Sequence, residues 1–91
     1  MMDNDRLIRR MDNETWRKYL EEAPSDKCRQ YIQCQFYYSL LGNKGAKFVV
    51  ADMDKIEAEM GLEDWKHLYK YAGDTPFKEV CKKKIEEFSM G

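Results

Sequence analysis

No apolar run in this chain approaches the ~18 residues that a membrane-spanning helix requires, so a helical span is excluded. Proline occurs twice and glycine five times in 91 residues. That is too seldom for a many-turned β fold and favours helices. Cysteine occurs three times, an odd number without a Cys-x-x-Cys or Cys-x-x-His pair. No disulfide framework or zinc spacing is present, and free thiols in a reducing compartment are expected. Histidine occurs once, at His67. The opening Met1-Met2-Asp3-Asn4-Asp5 is polar and acidic and shows no leader pattern, so the expected location is cytoplasmic.

Hydrophobic residues make up 43% of the chain and charged residues 36%, which excludes wholesale disorder. A chain of this length buries roughly 60–65% of its unfolded surface, enough for one modest core. The expected architecture is all-α: one domain, residues 1–91, built as a bundle of four or five short helices.

The net charge of −1 conceals a division. Residues 23–50 set Lys27, Arg29, Lys44 and Lys47 against Asp26, a balance of +3. Residues 51–72 set Lys55, Lys66 and Lys70 against six acids, a balance of −3. Such a division suits self-association or a charged protein partner.

Along the chain, Leu7, Ile8 and Met11 predict a helix over 4–11. Asp12-Asn13 predicts the cap of a second over 13–22, with Trp16, Tyr19 and Leu20 on one side. Whether these two helices are continuous is open. Pro24 ends the second, because the residue before proline is pushed out of the helical region. Ser25 predicts the cap of a long helix over 26–41, stopped by Gly42. Its apolar arc, Cys28, Tyr31, Ile32, Cys34, Phe36 and Tyr38, is wide enough to make it the centre of the bundle. Gln35 and Ser39 fall within that arc and require hydrogen-bond partners.

Gly42-Asn43-Lys44-Gly45 reads as a turn, and residues 46–51 are open between a short strand and an extended linker. Asp54 with Glu57 forms a capping-box pattern, predicting a helix that Gly61 closes. Leu62, Trp65, Leu68, Tyr69 and Ala72 then share one helical face. Gly73-Asp74-Thr75-Pro76 predicts a stop and restart, with Thr75 as cap and Pro76 in the first turn. Phe77, Val80, Cys81, Ile85 and Phe88 form the stripe of the last helix.

The order of apolar residues around Met60-Gly61-Leu62 resembles the turn of the DNA-binding helix-turn-helix. On that reading Lys66, His67 and Lys70 would face the duplex, with Glu63 beside them. Two features oppose it. The position after Ile56 is Glu57 where that motif has a small residue, and the unit is acidic where phosphate contact needs cations. Lys27, Arg29, Lys44 and Lys47, interleaved with aromatics, are the better electrostatic candidates for nucleic acid. Gly42–Lys47 lacks the spacing of a phosphate loop and follows a helix carboxyl end, which repels anions.

Cys28 and Cys34 point about 240° apart on one helix and cannot share a metal. His67 falls with Glu63, Lys66 and Lys70 on a face that reads as solvated, so no catalytic dyad is expected. No cofactor is implied. The expectation is a non-enzymatic interaction or regulatory domain whose partner is another protein or a second copy, with nucleic-acid binding as the alternative. Tyr37, Leu40, Leu41 and Tyr71 are the candidate interface anchors.

Overall fold

The computed structural model describes residues 8, 11–73 and 75–90, with side chains at all of these except 43 and 45–48. Among the described residues there are five helices and no strand: α1 (Asn13–Glu21), α2 (Asp26–Leu41), α3 (Asn43–Glu57), α4 (Leu62–Ala72) and α5 (Phe77–Met90). The all-α expectation holds. None of the helices is long and apolar enough to cross a membrane.

Local signals place most boundaries. The Asp12 carboxylate accepts the Thr15 N–H at 2.7 Å, and the extended backbone of Asp12 separates α1 from whatever precedes it. A continuous helix through residues 11–12 is therefore excluded. Apart from Ile8 and Met11, the expected helix over 4–11 lies outside the described residues. Ile8 has no regular structure and is fully buried in the core. The Ser25 hydroxyl accepts the Cys28 N–H at 3.1 Å and opens α2 as expected.

Gly42 ends α2 at φ 66° and ψ −149°, and Gly73 ends α4 at φ 62° and ψ −143°. Side chains strongly avoid this corner of backbone space. Gly42→Ala is expected to cost about 1–3 kcal/mol for that reason. Chemical denaturation measures it, and no contact is lost in the exchange because the space around Gly42 is open.

Residues 46–51 are helical, which corrects the strand or extended linker expected there. Only Gly42 turns, and α3 starts at the next residue. Gly45 costs a helix about 1 kcal/mol relative to alanine. Val49, Met53 and Ile56, at i, i+4 and i+7, are all buried and outweigh it. The Asp54–Glu57 pair is thus mid-helix and opens nothing. Gly61, expected to close that helix, instead precedes α4 with an ordinary φ of −107°. The Asp64 carboxylate accepts the Gly61 N–H at 2.9 Å.

The core joins α1, α4 and α5 to α2. The Tyr31 ring meets Trp65 of α4 edge-on at 5.7 Å and stacks on Phe77 of α5 at 6.2 Å. The Tyr19 hydroxyl of α1 donates to the buried Gln35 carbonyl at 2.8 Å. The Ser39 hydroxyl donates back to the Phe36 carbonyl at 2.6 Å, so both polar residues within the apolar arc are satisfied. Thr75, expected to cap α5, donates its hydroxyl to the Ala72 carbonyl and closes α4 instead. The predicted stripes of α4 and α5 run too long: Tyr69 and Phe88 are exposed, and α5 fully buries only Phe77 and Cys81.

Candidate functional site

At 100° per residue, α2 divides into sectors. Cys28, Tyr31, Ile32, Gln35 and Tyr38 span the buried one. Phe36 turns to one flank, its ring edge-on to Trp16 of α1 at 5.3 Å. Cys34 turns to the other, beside Asp52 of α3. What remains is an arc of about 100° holding Asp26, Gln30, Gln33, Tyr37, Leu40 and Leu41, all exposed. Tyr37 is 56% exposed, Leu40 65% and Leu41 58%. Their i, i+3, i+4 spacing makes them one patch.

Beside the patch lies a shallow cavity of about 430 Å³, open to solvent. Met11, Trp16, Phe36 and Leu40 supply its apolar wall, and Asp12, Asn13 and Ser39 its polar rim. Leu40 belongs to both patch and cavity. Protruding side chains and a hollow thus sit side by side on the carboxyl half of α2 and the amino end of α1. The cavity had no signal in the sequence, because Met11–Trp16 and Phe36–Leu40 meet only through the α1–α2 packing.

The remaining candidate anchor, Tyr71, is half-buried. Its hydroxyl donates to Glu22 at 2.6 Å, and its ring packs on Tyr19 and His67 at 5.2 and 5.1 Å. His67 is also half-buried, which corrects the solvated face expected for it. Its Nε2 lies 2.8 Å from the Tyr19 carbonyl. A carbonyl only accepts, so Nε2 carries the proton and satisfies an orphan carbonyl near the α1 carboxyl end.

The basic candidates do not converge. Lys27 pairs with Glu59 at 3.3 Å and Arg29 with Asp26 at 2.9 Å, both on the first turns of α2. Lys44 is exposed on α3, and Lys47 is helical there with its side chain outside the described set. Arg29 and Leu41 are separated by about 18 Å of helix. Lys66 pairs with Glu63 at 3.7 Å, and Lys70 with Glu22 at 3.9 Å. In the helix-turn-helix-like unit, Glu57 turns inward to accept the Tyr31 hydroxyl at 2.9 Å, with Lys84 at 3.9 Å.

The thiols are poorly placed for nucleophilic work. Burial pushes Cys28 up to about 12, with the Asp64 charge adding to it. Burial also raises Cys34, helped by Asp52, and raises Cys81 further still. A nucleophilic cysteine needs the opposite shift. All three are therefore expected to alkylate slowly in the native state at neutral pH, Cys28 and Cys81 slowest. Rapid labelling of either by iodoacetamide, followed by mass spectrometry, contradicts this. Among the described residues no three His, Cys, Asp or Glu side chains gather as a metal set.

One linkage had no forewarning in the sequence. Asp64 on α4 is buried, and its Oδ1 accepts the Ser25 hydroxyl at 2.8 Å while Oδ2 accepts the Gly61 N–H. Ser25 in turn accepts the Cys28 N–H. One carboxylate so ties together the amino ends of α2 and α4, where helix dipoles favour negative charge. The acidic start of α4 is visible in the sequence, but its reach to residue 25 is not. Compared with protein-family models, curated proteins and solved structures, the chain matches none of them.

Proposed function

We propose that this protein is a small non-enzymatic interaction domain that docks a protein partner on the outward face of α2. The observation that carries the reading is the grouping of Tyr37, Leu40 and Leu41, each more than half exposed, beside the cavity that Leu40 helps to line. A folded chain gains nothing from placing three large apolar side chains together in water, and such clusters are typical of binding surfaces. Aromatic and aliphatic anchors next to a hollow are also what a partner can desolvate most completely. The raised thiols and the engaged His67 supply no activated nucleophile or free base, which weighs against catalysis. The ion-paired lysines of α2 and α4 weigh against a phosphate-binding surface.

Site-specific photo-crosslinking in cells that make the protein tests this reading. With Tyr37 replaced by p-benzoylphenylalanine, a discrete protein adduct is expected, lost when Leu40→Asp is added. The same label in place of Lys83, exposed on α5, should give none. Absence of an adduct at position 37, or equal adducts at both positions, removes the reading.

A further inference from the structure

We draw no further inference here: the strongest candidate, the exposed Tyr37, Leu40 and Leu41 patch on the outward face of α2 as the seat of one particular partner, carries nothing beyond the docking reading above, because nothing in the structure shows what covers it.

Discussion

Asp64→Ala is expected to lower the stability of the folded chain by about 3 kcal/mol, far more than a surface acid ordinarily contributes. The carboxylate accepts from the Ser25 hydroxyl and the Gly61 N–H, and it does so buried. Hydrogen bonds to a charged group are each worth about 1.5–3 kcal/mol, and a lost helix cap about 1 kcal/mol. The three effects overlap, because Ser25 also caps α2. Alanine leaves the Gly61 N–H without its acceptor and frees the Ser25 hydroxyl from its anchor. Asp64→Asn retains one acceptor and should fall between parent and alanine. Urea unfolding of Asp64→Ala, Ser25→Ala and the double variant measures the linkage. A coupling energy above about 0.5 kcal/mol is expected, as for groups in one network. Simple additivity would mean that the two helix ends are held independently.

Phe77→Ala should cost about 3–5 kcal/mol, the range for removing a buried aromatic ring. The reason is particular to α5. Only Phe77 and Cys81 of its fourteen residues are fully buried, and the last five are exposed. Phe77 carries the aromatic contact to Tyr31, so its loss removes the main attachment of α5 to α2. Hydrogen exchange should show α5 amides losing protection well before those of α2. Phe88→Ala, at an exposed position, should change stability by less than about 0.5 kcal/mol. Uniform loss of protection in Phe77→Ala would instead mean that α5 and α2 open as one unit.

These two effects show what the amino-acid sequence does and does not disclose. Both ends of α2 are legible, because Ser25 and Gly42 act through their immediate neighbours. The outward position of Tyr37, Leu40 and Leu41 also follows from helical period once the buried sector is chosen. The start of α3 is not legible, since Gly42-Asn43-Lys44-Gly45 has turn composition and only the first residue turns. Burial of Val49, Met53 and Ile56 overrides that local preference. The Asp54–Glu57 spacing imitates a cap, but Glu57 is taken by the Tyr31 hydroxyl 26 residues earlier. Position 64 misleads in the opposite sense: an acid at a helix start reads as solvated, whereas it bridges to residue 25. His67 is the same kind of case, since its partner carbonyl belongs to α1. Every one of these misreadings concerns a contact distant in sequence.

The docking face itself is tested most directly by the map of photo-crosslinks formed when p-benzoylphenylalanine replaces, one at a time, the exposed Tyr37, Leu41, Tyr69 and Lys83. If α2 presents its outward arc to a protein partner, a discrete adduct will form from positions 37 and 41, leaving α4 and α5 without one. Adducts from positions 69 or 83 instead, or no adduct at any of the four, would contradict it.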